Sequence, residues 1–176
     1  NPILVMPTGS GKTVTAAAIV RELGRRTLWL AHRRELVKQA AGQLRGLGLS
    51  CGIVMAGEEP DHTATVQVGS VQTAARRDMD GFDLVVVDEA HHAVADSYAT
   101  FTDLPCPVMG LTATPFRLDG KGLRDAGFRR IIVGSTVADL VERGTLAQHV
   151  SRQAVAQQMR ANVLLRRPEP GLLECR

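Results

Sequence analysis

The sequence predicts an α/β protein built on a doubly wound, mainly parallel sheet. Short apolar runs alternate along the chain with segments in which apolar residues recur at helical spacing. The run at 84–87 is apolar at every position, as expected for a central strand covered on both faces. A chain of 176 residues can bury one sizeable core, so we expect one main domain.

The strands and helices follow from these patterns. Strands are expected at 3–6, 27–31, 51–55, 64–68, 84–87, 107–111 and 130–133. Helices are expected at 12–23, 33–47 and 137–143. Beyond about residue 151 the pattern is lost, and we expect a loosely held helix followed by a tail or linker.

The net charge of +3 does not by itself mark a nucleic-acid-binding face. Residues 1–144 contain 16 basic and 16 acidic side chains, and residues 145–176 supply the whole excess. A surface for phosphate backbones must therefore come from the local placement of basic and polar groups.

Composition excludes several classes of protein. No apolar run approaches the ~20 residues of a membrane span, so no membrane partner is expected. The three cysteines, Cys51, Cys106 and Cys175, are odd in number and have no CxxC spacing. That usage favours reduced thiols in the cytoplasm over a disulfide framework or a zinc site.

The turn after the first predicted strand has the pattern of a phosphate-binding loop, although Met6 replaces its usual first glycine. Gly9 and Gly11 can adopt backbone angles that direct successive N–H groups at one anion, and the following helix adds its dipole. Lys12 can reach the β and γ phosphates, and the Thr13 hydroxyl can ligate Mg²⁺. A glycine-rich turn beside a surface lysine is the alternative. The candidate ATP-binding residues are Pro7, Thr8, Gly9, Ser10, Gly11, Lys12 and Thr13.

Asp88 and Glu89 directly follow the apolar run at 84–87. Ligands of doubly wound sheets bind outside the carboxyl ends of the strands, so these acids belong at the same edge as the phosphate loop. Asp88 would join Thr13 in holding Mg²⁺, and Glu89 would orient the attacking water and act with Lys12 in catalysis. Without a cation the two carboxylates repel each other. A solvated acidic turn is the alternative for the pair alone.

These motifs and their order resemble the first RecA-like lobe of a superfamily 2 helicase. Asp-Glu-Ala-His at 88–91 and Thr-Ala-Thr at 112–114 follow the phosphate loop, while 30–36 and 68–73 resemble the family's motifs Ia and Ib. The details are closer to the branch of type III restriction enzymes and repair translocases than to DEAD-box proteins. The resemblance implies a helicase ATP-binding domain at 1–145, truncated at its N-terminus, and a helical or linker tail at 146–176.

The resemblance implies ATP and Mg²⁺ as cofactors and a nucleic acid, DNA rather than RNA, as partner. It implies that nucleotide state is coupled to lobe closure through His91, Thr112, Ala113 and Thr114. It implies that the strand backbone is held, without reading of sequence, by His32, Arg33, Arg34, Val71, Gln72 and Thr73.

The resemblance also implies a second RecA-like lobe of the same parent protein, whose arginine finger completes the catalytic site. We therefore expect this chain to be a piece of a longer protein that alone binds Mg·ATP weakly and hydrolyses it poorly. Two other functions remain open. One is a non-catalytic nucleic-acid-binding scaffold with the same fold, and the other is a small-molecule phosphotransferase that shares the loop.

Overall fold

The computed structural model describes residues 1–58, 61–76, 81–92, 101, 105–114 and 127–144. The strands are β1 (Pro2–Val5), β2 (Thr27–Ala31), β3 (Cys51–Val54), β4 (Val66–Ser70), β5 (Leu84–Val87), β6 (Val108–Thr112) and β7 (Arg130–Val133). The helices are α1 (Lys12–Leu23), α2 (Arg34–Gly46), α3 (Val71–Ala74) and α4 (Val137–Glu142), and a 3-10 turn covers Ala90–His92.

These strands form one sheet in the order β3-β4-β2-β5-β6-β1-β7. Every pairing between the described strands is parallel, which confirms the predicted fold class. Because the strands are parallel, the loops that follow β1, β2, β4, β5 and β6 all lie at one edge of the sheet. That edge carries every candidate site residue.

Two cores explain why the strand runs are continuously apolar. Side chains at alternate positions point to opposite faces, so Trp29 and Val86 pack beneath α1 and α2. Leu28 and Val85 pack on the other face, where Phe101 is buried with them. Trp29 is fully buried in the core beneath the two helices.

The strand expected at 64–68 was placed two residues too early, because β4 begins at Val66. Residues 61–64 form a turn in which the Ala64 N–H donates to the Asp61 carbonyl at 3.3 Å. The buried Gln67 amide donates to the Asp61 and Ala64 carbonyls at 2.6 and 3.1 Å and holds that turn in place. A side-chain-to-backbone contact of this kind outweighs local apolar spacing.

The structure also bears on the expectations for membrane spans and cysteines. None of the helices in the described ranges could cross a membrane. Cys51 and Cys106 are free thiols, and burial raises the pKa of Cys51 to about 11. Cys175, the predicted boundary at 145 and the predicted tail at 146–176 lie outside the described residues.

Candidate nucleotide-binding site

The loop between β1 and α1 presents backbone N–H groups at the edge of the sheet. Gly9 and Gly11 have φ angles of 80° and 85°, in the left-handed region that side chains disfavour. Ser10 closes the turn, since its N–H and its hydroxyl both donate to the Pro7 carbonyl, at 3.2 and 2.6 Å. No side chain in the described part of the chain caps α1, so its first-turn N–H groups are available to an anion.

Met6, which replaces the usual first glycine of the loop, is accommodated by a second glycine. Its side chain is buried, and a Cβ built at Gly134 would lie 2.6 Å from the Met6 Cγ. The Met6 N–H also donates to the Thr112 carbonyl at 3.0 Å, which continues the pairing of β1 with β6. The departure from the usual pattern therefore leaves the start of the loop in register.

Asp88 and Glu89 occupy a constrained turn at the end of β5. The Asp88 N–H donates to the Leu30 carbonyl at 2.9 Å, and Asp88 Oδ1 accepts from the Glu89 N–H at 3.0 Å. Among the described residues other than glycine, Glu89 alone has a positive φ, 49°. Such a backbone is held only where its surroundings enforce it, and it fixes the direction in which the Glu89 side chain leaves the strand.

One cavity of about 660 Å³ joins the phosphate loop to the acidic pair. Its size is in the range of small-molecule and cofactor sites. From the loop and the acidic turn it is lined by Thr8, Gly9, Gly11, Lys12, Thr13, Asp88 and Glu89. The structure thus brings together most of the predicted ATP-binding and metal-binding residues. Pro7 and Ser10 contribute to the turn rather than to the lining.

Opposing effects act on the pKa of Asp88 at this cavity. Burial, together with the negative charge of Glu89, raises the pKa of Asp88 above its usual value. The N–H of Glu89 and the positive charge of Lys12 act in the opposite direction. A carboxylate pair with a nearby threonine hydroxyl is a set of hard oxygen donors, which fits Mg²⁺.

His91 connects the acidic turn to the end of β6. Its Nδ1 lies 3.0 Å from Thr112 Oγ1 and 3.3 Å from Glu89 Oε2. The Thr112 hydroxyl donates to the Thr114 carbonyl at 3.0 Å and accepts from the Thr114 N–H at 3.2 Å. Because the Thr112 proton is used in that way, Thr112 accepts from His91, and we assign the proton to Nδ1. Ala113 lies within the bend that these bonds close.

The predicted nucleic-acid contacts lie at the same edge, on the loops after β2 and β4. Arg33 and Arg34 are exposed, and Arg34 donates to the Ala56 carbonyl at 3.1 Å. His32, next to them, is partly buried.

The segment after β4 offers fewer free side chains to a nucleic acid than its sequence suggested. Gln72 is exposed, but the Thr73 hydroxyl accepts from Ser70 Oγ at 2.9 Å, and Ser70 also caps α3. The Val71 side chain is fully buried, so a contact from this residue could come only through its backbone.

Sequence reasoning missed two polar residues of the main cavity. Gln39 and Gln43 of α2 line it together with Leu36 and Leu47. Their spacing of four residues places the two amides on one helix face, which the sequence alone could have shown. That this face meets the phosphate loop depends on the packing of α1 against α2.

Fold and site together define a RecA-like ATP-binding lobe of the superfamily 2 helicase type. The chain belongs to the family described as type III restriction enzyme, res subunit, whose model matches residues 1–117.

Curated relatives agree with that assignment. IRC3 of Saccharomyces cerevisiae, named as an ATP-dependent helicase, is 34% identical over 143 residues, covering 67% of this chain and 21% of that protein. The DNA 3'-5' translocase XPB2 of Sulfurisphaera tokodaii is 36% identical over 123 residues, covering 68% of this chain and 28% of that protein. The chain therefore spans less than a third of the length of either relative.

Among solved structures, the Pyrococcus furiosus Hef helicase domain superimposes with a TM-score of 0.64 at 28% identity. The match covers 77% of this chain and 34% of that one.

Proposed function

We propose that this chain is the N-terminal ATP-binding lobe of an ATP-dependent DNA helicase or translocase. In that protein, hydrolysis of Mg·ATP drives movement along a nucleic acid. The observation that carries the proposal is the convergence of Lys12 and Thr13 with Asp88 and Glu89 on one cavity. Residues that follow the first and fifth strands meet there because both strands end at the same edge.

The phosphate loop would bind the triphosphate. N–H groups of the loop and of the first turn of α1 donate to phosphate oxygens, and the Lys12 ammonium neutralises the β and γ phosphates. Asp88 and Thr13 would hold Mg²⁺, which, when bound, neutralises charge that develops on the phosphates.

Glu89 would act on the attacking water. Its carboxylate accepts a proton from that water and orients it toward the γ phosphate. The left-handed backbone at Glu89 and the contact of its Oε2 with His91 at 3.3 Å hold the carboxylate in one position.

The nucleic acid would bind across the loops after β2 and β4, at Arg33, Arg34 and Gln72. These side chains can donate hydrogen bonds to phosphate and sugar groups, and we propose binding that is independent of sequence and sensitive to salt. XPB2 is named as a DNA translocase, which supports DNA over RNA.

A second RecA-like lobe would complete the site. An arginine finger supplied across the cleft is worth about a thousandfold or more in phosphoryl transfer. This lobe alone would therefore hydrolyse ATP slowly, and lobe closure on a strand would restore the rate.

ATP hydrolysis by the protein at its full natural length tests the proposal, measured without nucleic acid, with single-stranded DNA and with single-stranded RNA. Lys12→Ala should abolish turnover. Lys38→Ala is the matched control, because Lys38 is exposed and pairs with Glu58 at 2.9 Å on the surface. Wild-type turnover in Lys12→Ala would contradict the assignment. Wild-type turnover that is indifferent to DNA and RNA would favour a phosphotransferase, and no turnover at all would favour a scaffold.

A further inference from the structure

His92, which has no role in the site described above, forms a bridge between two parts of it. Its ring stacks on the ring of His32, with centroids 5.0 Å apart and planes 19° apart. The same ring lies against His91, with centroids 4.1 Å apart and planes 42° apart. Offset stacked and tilted aromatic contacts at these separations are favourable.

The three rings connect the loops after three strands. His32 follows β2, His91 and His92 follow β5, and His91 bonds Thr112 at the end of β6. His91 also contacts Glu89. A continuous series of contacts therefore runs from the segment expected to bind nucleic acid to the carboxylate expected to activate water.

His32 joins this series through its stack on His92. His32 Nδ1 is buried and has no hydrogen-bond partner in the part of the chain that the structure describes. A second cavity, of about 400 Å³, lies beside the stack and is lined by His32, Arg33, Glu35, Leu36, Glu89 and His92. The stacked pair thus borders a cavity that Arg33 of the basic segment and Glu89 also line.

We propose that His92 is a positioning residue that couples nucleic-acid binding at residues 32–34 to the nucleotide site, through its stack on His32 and its contact with His91. The proposal rests on the proposed function. A contact couples two ligands only if it differs between the states that they favour. A strand that displaces His32 would shift His92, and His92 would shift His91 relative to Glu89 and Thr112.

The test measures affinity rather than turnover. A labelled single-stranded DNA oligonucleotide is titrated into the protein at its full natural length, with and without a saturating non-hydrolysable ATP analogue and Mg²⁺. The ratio of the two dissociation constants is the coupling factor, for which about 5 to 150 is typical. His92→Ala should bring this factor to within about twofold of one, because the bridge is removed.

Two further variants separate coupling from a merely structural effect. His92→Phe keeps a ring that can stack and should retain the wild-type factor. His62→Ala removes another exposed histidine, in the loop before β4 at the opposite edge, and should also retain it. His92 is exposed, so loss of its ring contacts in His92→Ala should lower the melting temperature by no more than about 4 °C.

The outcomes are distinguishable. A wild-type coupling factor in His92→Ala overturns the proposal for His92 and leaves the proposed function standing. Loss of the factor in both His92→Ala and His92→Phe overturns the role of stacking. A wild-type protein that binds no nucleic acid overturns the proposed function, and this inference falls with it.

Discussion

The imidazole Nδ1 of His91 lies 3.0 Å from the hydroxyl of Thr112. His91 follows β5, whereas Thr112 is the last residue of β6. The register explains the contact, since Val87 of β5 pairs with Gly110 of β6. A Cβ at Gly110 would lie 2.9 Å from the Ala90 Cβ, so glycine there allows the turn after β5 to approach β6. Any movement of the acidic turn therefore reaches Thr112 through one side chain.

Thr112→Val tests that contact by removing the hydroxyl while keeping the shape. His91 loses an acceptor, and the bend at Thr114 loses two hydrogen bonds. We expect kcat for nucleic-acid-stimulated hydrolysis to fall about tenfold, which equals a loss of about 1.4 kcal/mol in the transition state, with little change in KM for ATP. Thr27→Val is the control, because this buried hydroxyl donates to the Arg25 carbonyl at the opposite edge. Equal kcat values for the two variants would refute the role of Thr112.

Glu89→Gln should separate nucleotide binding from hydrolysis. The amide keeps the size of the side chain but cannot accept a proton from water, so kcat should fall at least about a hundredfold. Affinity for Mg·ATP should stay within about threefold of wild type, because the phosphates are held by the loop and Lys12. Glu22→Gln, an exposed acid near the end of α1, serves as the control. Single-turnover kinetics and equilibrium binding measure the two quantities, and a variant that still turns over at the wild-type rate would remove Glu89 from catalysis.

The sequence predicted those elements whose apolar pattern has one interpretation. The bounds of α1, β2 and β5 agree with the predicted ones, and the parallel sheet places the predicted loops at one edge. The start of β4 was wrong because the Gln67 amide holds the preceding turn, which periodicity does not encode.

Within the site, the sequence indicated which residues meet but not how they are held. Motif order predicted that Lys12 would face Asp88 across one cavity. The left-handed backbone of Glu89, the packing of Met6 on Gly134 and the stack on His92 depend on where separate loops lie in space. No local pattern specifies those positions.

Two glycine substitutions of the same kind should have opposite effects on stability. In Gly110→Ala, the new methyl would lie 2.8 Å from the Phe128 ring and 2.9 Å from Ala90, so we expect a loss of about 1–3 kcal/mol. Gly42→Ala lies in the interior of α2, and within the described residues nothing beyond the local helix backbone comes within 4 Å of the new Cβ, so this variant should gain about 0.5–1 kcal/mol. Urea unfolding measures both. A Gly110→Ala protein as stable as wild type would mean that β6 and the turn after β5 are not in close contact.

Asp88→Asn should raise stability in the absence of nucleotide and metal. The pKa of Asp88 is raised in the folded state, so the protonated carboxyl favours folding, and this contribution is complete below pH 3.8. It is lost as the pH rises through the folded pKa, and above that the buried carboxylate destabilises the folded state relative to a neutral side chain. An asparagine stays neutral, so the melting temperature of the variant should exceed that of wild type near pH 7, and the difference should shrink toward pH 4.

Asp61→Asn should change the melting temperature in the opposite direction to Asp88→Asn. Hydrogen bonds from the Thr63 hydroxyl and N–H lower the pKa of Asp61, so this variant should be the less stable one near pH 7. Thermal unfolding across the pH range measures both variants. A lower melting temperature for Asp88→Asn throughout would contradict a pKa of Asp88 raised by burial and by the charge of Glu89.

The most direct test of the nucleotide site is the metal dependence of its affinity for a non-hydrolysable ATP analogue, measured in wild type and in Asp88→Asn. If Asp88 holds Mg²⁺ against a triphosphate bound by Lys12, replacing Mg²⁺ with EDTA should weaken wild-type binding at least about tenfold, or 1.4 kcal/mol. In Asp88→Asn the same change should weaken binding by less than about threefold. An equal metal dependence in the two proteins would contradict a shared site for the phosphate loop and the acidic pair.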